Sequence, residues 1–204
     1  MSTPRPGAAG PAVRGRIGLA VLGLAACLLA LPAWAAEVGG VRFEDRARVG
    51  EADLALNGAG VRAVFVIKVY ALGLYLPKPS RDAVQAIAMP GPKRLRLATL
   101  REVEAERFLD GLGKGLAKNH GEPELAALKA RTDQFAAQVQ AASPLPKGAV
   151  LNLDLLPGGS TRVSLNGHAL GPDIPGEDFF QALLRIWLGT KPAQDDLKAA
   201  LLGG

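Results

Sequence analysis

The chain has 204 residues, about half of them apolar and a fifth charged, which is enough for one sizeable core and ordinary for a globular protein. Its formal charge of +5 comes partly from Arg5, Arg14 and Arg16; beyond residue 35 the balance is 21 basic against 19 acidic side chains, a formal +2. That near-neutrality argues against a nucleic-acid partner, and two His with one Cys argue against a His/Cys metal site.

Residues 1–35 read as a secretory signal peptide. Three arginines precede the apolar run Ile17–Leu31, and Ala33-Trp34-Ala35 places small residues at the −3 and −1 positions of a cleavage site. The run falls short of the about 20 residues a membrane span needs, so no integral span is expected after cleavage. Leu24-Ala25-Ala26-Cys27 offers an alternative, a lipobox with lipidation at Cys27; the apolar Leu-Leu-Ala-Leu that follows argues against it. The expected destination is the periplasm or beyond, and cleavage would leave residues 36–204 as one domain without cysteine.

Glu37–Val49 alternates weakly and reads as a first strand or hairpin. Leu54-Ala55-Leu56 leads into Asn57-Gly58-Ala59-Gly60, a hairpin signal rich in residues that tolerate positive φ. Val61–Leu76 reads as one long strand, apolar on both faces, hence covered on two sides. Two polar side chains interrupt it, Arg62 and Tyr70. Their even separation puts both on one face of an unbroken strand, an arrangement suited to an anionic head group. A strand arginine and a tyrosine satisfied elsewhere would look the same. Gly73 marks a bulge or a close backbone approach.

Pro77 and Pro79 end that strand, and Ser80 opens a short helix to Met89 with Asp82 near its positive end. Lys93–Leu100 alternates as a strand with Arg94 and Arg96 on a solvated side. Glu104–His120 forms a helix with Phe108, Leu112 and Leu116 on one stripe, weakened by Gly111, Gly113 and Gly115. A second helix runs from Pro123 to about Ala142. Ala149–Leu156 and Thr161–Leu165 form a hairpin, Asn166-Gly167 turns toward His168-Ala169-Leu170, and Glu177–Leu188 and Pro192–Leu202 are two closing helices. This order, strands, helices, strands, helices, indicates an α+β fold: a largely antiparallel sheet with helices on one face.

No Gly-x-Ser-x-Gly nucleophile signature and no phosphate loop is present. His120 ends a helix, where a protonated ring would suit the dipole, and His168 follows a turn; Glu102, Glu104 and Glu106 suit a first helical turn. Motifs alone indicate no catalytic residue.

Val69–Leu76 (VYALGLYL), the entry Gly58-Ala59-Gly60-Val61-Arg62 and the ending Phe179–Gly189 together resemble the chalcone isomerase superfamily, over roughly Val38–Leu202. The likeness is nearest its secreted bacterial branch. It implies an open-faced β-sandwich, a large antiparallel sheet with a helical layer and a ligand cleft between them. It also implies that Arg62 occupies the position of the family arginine. Catalytic members close a chalcone onto a phenolate with the help of that arginine and of Thr and Tyr hydroxyls. Here Tyr70 stands at a Thr position, and Thr99–Phe108, where the catalytic Tyr belongs, has none. Fatty-acid-binding members pair Arg with Tyr instead. The resemblance therefore implies a monomeric, non-catalytic binder of a fatty-acid-like or other amphipathic carboxylate, held by Arg62 and Tyr70, with no cofactor and no metal. An isomerase acting on a chalcone-like enone, and an envelope protein with a vestigial cleft, stay open as alternatives.

Overall fold

A computed structural model describes residues 36–204; the expected leader and Cys27 lie outside the described residues. The elements are β1 (Ala36–Val38), β2 (Val41–Phe43), β3 (Arg46–Val49), β4 (Ala52–Val64), β5 (Ile67–Leu76), α1 (Ala83–Ala88), β6 (Lys93–Thr99), α2 (Ala105–Asn119), α3 (Glu122–Gln140), β7 (Val150–Leu155), β8 (Thr161–Leu165), β9 (His168–Ala169), α4 (Glu177–Leu188) and α5 (Asp195–Leu201). β3 to β9 form one antiparallel sheet in sequence order, and β1 and β2 pair separately. The α+β class is the expected one. The insertion of α2 and α3 between β6 and β7 does not separate those strands, which remain neighbours.

The inner face of the sheet carries Leu72, Leu74, Leu95, Leu97, Leu151 and Leu153, all buried. Against it lies α4, which is apolar nearly all round: Phe179, Phe180, Leu183, Leu184, Ile186, Trp187 and Leu188 are buried. A helix with this composition has to be covered on more than one side. α2 supplies the cover with Phe108, Leu112 and Leu116, and its Gly115 lets the two helices approach, since a Cβ there would meet Ile186 Cγ2 at 2.6 Å. On the outer face a smaller cluster joins Phe43 of β2 to Val49, Leu54, Ala71 and Tyr75 of the sheet, with Val38 and Val41 packed against it. Gly73 is the close approach expected of it: a Cβ would sit 2.6 Å from the Phe43 ring.

The stretch expected to hold a turn and one long strand is organised differently. Asn57–Gly60 is not a turn; it lies within β4. Its glycines serve packing instead of φ. At Gly60 a Cβ would lie 2.8 Å from Leu197 Cδ1 and 2.9 Å from Ala200 Cβ, and at Gly58 it would overlap the Ala200 carbonyl oxygen, so both make room for α5 against the sheet. Asn57 does not cap a turn either; its side-chain amide donates to the Leu201 and Ser80 carbonyls at 2.7 and 2.9 Å, tying α5 and the entry to α1 onto β4.

The reversal comes later, at Phe65-Val66. Val64 pairs with Ile67, so these two residues are the whole loop between β4 and β5. Phe65 has φ 54°, a conformation usually left to Gly or Asn. No residue there announces a turn, which is why the sequence pattern runs straight through it.

Boundaries elsewhere shift by a few residues. α1 starts after Asp82, whose carboxylate accepts from the Gln85 N–H at 2.7 Å, so Asp82 and not Ser80 is its cap. α5 starts after Gln194 instead of at Pro192. Arg94 is less solvated than its alternation implies: it lies half-buried and bidentate on Asp154, at 2.6 and 2.7 Å.

Candidate ligand cleft

Beyond Arg62 the sheet no longer lies flat under helices. Here the end of the β4–β5 hairpin, the first turns of α2 and the loop from Arg101 to Glu104 enclose a cavity of about 590 Å3. That lies within the range of about 300–1,000 Å3 usual for small-molecule sites. Arg62 and Tyr70 both line it, together with the apolar side chains of Val69, Phe108, Leu112 and Ile186.

Arg62 and Tyr70 are Cα partners across the β4–β5 ladder, and directly paired residues share a face. Expecting them together was sound, but the geometry that unites them is a hairpin instead of one strand. A register shift follows at once, Arg62 opposite Tyr70 and Ala63 opposite Lys68, so Val69 is the extra residue of a bulge.

Tyr70 is buried at the base of the cavity. The Trp187 indole N–H donates to its oxygen at 2.9 Å, and the Phe108 ring meets it edge-on at 6.3 Å. Burial pushes the phenol up to about 12, against the smaller opposing effects of the Trp187 hydrogen bond and the Arg62 charge. The hydroxyl is therefore neutral across the ordinary pH range. With its oxygen occupied by the indole, and no acceptor for its hydrogen among the described residues, it faces the cavity as a donor.

Arg62 is half-buried. Its guanidinium contacts the Ala63 carbonyl and lies 3.3 Å from Gln194 Oε1, both neutral groups. Among the described residues no ion pair involves Arg62. Gln194, the residue before α5, is fixed in turn: its oxygen accepts from the Ala63 N–H at 2.9 Å and its amide donates to the Val61 carbonyl at 3.3 Å. This amide closes the open edge of β4 as a neighbouring strand would. The result is a cation oriented by neutral groups beside a neutral hydroxyl donor. A carboxylate or another oxyanion would complete both, through charge-assisted hydrogen bonds.

The cleft wall is mixed in charge, with Arg101 and Arg107 facing Glu102, Glu104 and Asp110. All three glutamates of this stretch are exposed, and Glu102 and Glu104 border the cavity whereas Glu106 does not. His120 lies elsewhere, at the end of α2. Its Nδ1 is 3.0 Å from the Leu116 carbonyl and its Nε2 is 3.2 Å from Arg185 Nη1. The ring is held between the α2 backbone and Arg185 and does not line the cleft. His168 is exposed in β9. Thr99 sits opposite Tyr70, but its hydroxyl donates to the Pro146 carbonyl at 2.5 Å. Among the described residues no three His, Cys, Asp or Glu side chains gather where a metal could be held, and no helix is long and apolar enough to cross a membrane.

Trp187 and Gln194 complete the site and were not singled out by residue pattern. Trp187 looks like one more apolar position of α4, and Gln194 sits in a short polar connection with nothing to mark it.

A family described as chalcone isomerase-like matches residues 35–203. Among curated proteins no sequence matches. Among solved structures, a crystal structure of a fatty-acid binding protein from Arabidopsis thaliana superposes with a TM-score of 0.63 at 17% identity, over 80% of this chain and 92% of that one. At that identity the likeness establishes the fold alone: the antiparallel sheet and its helical layer.

Proposed function

This chain belongs to the chalcone isomerase-like family, and we propose that it is a non-catalytic carrier of a fatty-acid-like or other amphipathic carboxylate. The carboxylate would sit between Arg62 and Tyr70 and the apolar chain would fill the rest of the cavity. The observation that carries this is the Arg62 guanidinium, held by neutral partners only, directly opposite a buried hydroxyl donor. That the Arabidopsis neighbour is a fatty-acid binding protein is in keeping with it. Export through the leader of residues 1–35, to the periplasm or beyond, and action as a monomer are part of the same proposal.

The isomerase alternative needs hydroxyls free to hold an enone. Thr99 is engaged with Pro146, and the region from Thr99 to Phe108 supplies no tyrosine. Tyr70, held neutral by burial, is suited to donate a hydrogen bond and ill suited to remove a proton near neutral pH.

The test is mass spectrometry of solvent extracts from purified wild type and Arg62→Ala. A long-chain acid released from wild type and depleted in the variant supports the carrier. Chalcone turnover that collapses in Arg62→Ala, with no acid released from wild type, replaces it with the isomerase.

A further inference from the structure

Val64, Phe65, Val66 and Ile67 form an apolar tip on the β4–β5 hairpin, 44, 97, 94 and 48% exposed. Apart from Val84 on α1, they are the large apolar side chains that stand exposed among the described residues. Folding does not ask for them. Phe65 holds a positive φ that a bulky residue adopts only with strain, and its ring recovers nothing by burial. Other reversals in this chain use Gly39-Gly40 or Asn166-Gly167 for such backbone. The tip is continuous with the cleft, since Val64 and Ile67 line the cavity alongside Arg62.

We infer that this tip inserts into the interfacial layer of a lipid bilayer, seating the cleft mouth against the membrane. A protein partner fits the tip poorly. A buried aromatic contributes about 150–250 Å2, and Phe65 with Val66 falls well short of the about 800 Å2 each side of a stable interface buries. The tip is also convex, and its last backbone pair, Val64 with Ile67, is closed within the hairpin. A bilayer needs no matching surface and no free strand edge; it needs apolar side chains that lead and a backbone already paired. The charges behind the tip are mixed: Lys68, Arg62, Arg101 and Arg107 against Glu102, Glu104 and Asp110. Apolar insertion, more than attraction to anionic lipid, therefore drives binding. Two apolar side chains give weak, reversible attachment, as suits a protein that loads and leaves. That use of the tip rests on the carrier proposal, whereas the insertion itself does not.

The experiment places an indole at the tip, Phe65→Trp, and records emission against wild type with vesicles of phosphatidylcholine alone and of phosphatidylcholine with phosphatidylglycerol. Trp187 is buried and contributes equally to both proteins. A blue shift with protection from an aqueous quencher is expected for both vesicle types, changing less than about threefold between low and moderate salt. A Phe65→Gly/Val66→Ser double variant, with wild-type circular dichroism, is expected to lose at least tenfold in vesicle partitioning. Emission of the Phe65→Trp indole that ignores both vesicles overturns the inference, because binding through any other part of the chain leaves that indole in water. A shift that follows protein concentration without vesicles overturns it too, in favour of self-association. The vesicles contain no free fatty acid, so insertion and carboxylate binding fail independently.

Discussion

The Trp187 indole donates to the Tyr70 hydroxyl at 2.9 Å, and this bond determines what the hydroxyl offers a ligand. A phenol whose oxygen already accepts, buried beside Phe108, has its hydrogen left to give. Across the ladder Arg62 offers a guanidinium, also without an anionic partner among the described residues. The two groups should therefore contribute unequally. Arg62→Ala is expected to weaken binding of a long-chain carboxylate by about ten- to a hundredfold, as for loss of about 1.5–3 kcal/mol from a charged hydrogen bond. Tyr70→Phe removes a bond in which only the acceptor is charged, at the lower end of that range, about 1.5 kcal/mol, and should weaken it about tenfold. Titration calorimetry with palmitate measures both, and equal losses would mean that the hydroxyl does not act as argued.

The raised Tyr70 pKa makes a stability prediction of its own. The phenol ionises near 10 when unfolded and near 12 when folded, so the unfolded state gives up its proton first as pH rises. The stabilising contribution is complete below pH 10 and is lost as pH climbs through about 12, up to about 3 kcal/mol for a shift of this size. Denaturant melts at pH 9, 10 and 11 should show wild type losing stability faster than Tyr70→Phe. Parallel curves would mean that Tyr70 is hydrated in the folded protein.

Gly58 connects the far end of the fold to the cleft. A methyl group there overlaps the Ala200 carbonyl, and a backbone atom cannot swing aside as a side chain can. Gly58→Ala should lift α5 and cost about 1–3 kcal/mol, as overpacking does. A melting point lower by about 2–4 °C per kcal/mol is the first readout. Gln194 immediately precedes α5 and holds Arg62, so carboxylate affinity should fall as well, although Gly58 does not line the cavity.

Phe65→Gly should act in the opposite sense. It relieves the positive φ at no loss of buried surface, and a gain of about 1 kcal/mol is expected. Thermal melts in the absence of lipid measure it. A destabilised Phe65→Gly would show that the ring packs against something in solution.

Much of the fold was legible because it follows from periodicity. α2, α3 and α4 carry their stripes openly, and the β7–β8 hairpin announces itself with Pro157-Gly158-Gly159-Ser160. The β4–β5 hairpin was hidden for a physical reason. Its loop is Phe65-Val66, apolar and without Gly, while the residues that look like a turn, Asn57–Gly60, are small because α5 presses on them. Tertiary packing and turn chemistry ask for the same residue types, and a single sequence does not say which is being met. Pairing Arg62 with Tyr70 survived this because residues eight apart share a face on one strand, and direct partners in a hairpin share one too. Gln194 and Trp187 were not legible, since each acquires its role only when α4 and α5 come down on the sheet.

The central claim is that a carboxylate lies against Arg62, and carbon-13 NMR of carboxyl-labelled palmitate tests it most directly. In wild type the bound carboxyl resonance should titrate below the free acid, because the guanidinium and the Tyr70 hydroxyl favour the anion. In Arg62→Ala that resonance should weaken and titrate at or above the free acid. A bound resonance in Arg62→Ala with wild-type intensity and an unchanged titration would contradict the account, placing the head group away from Arg62.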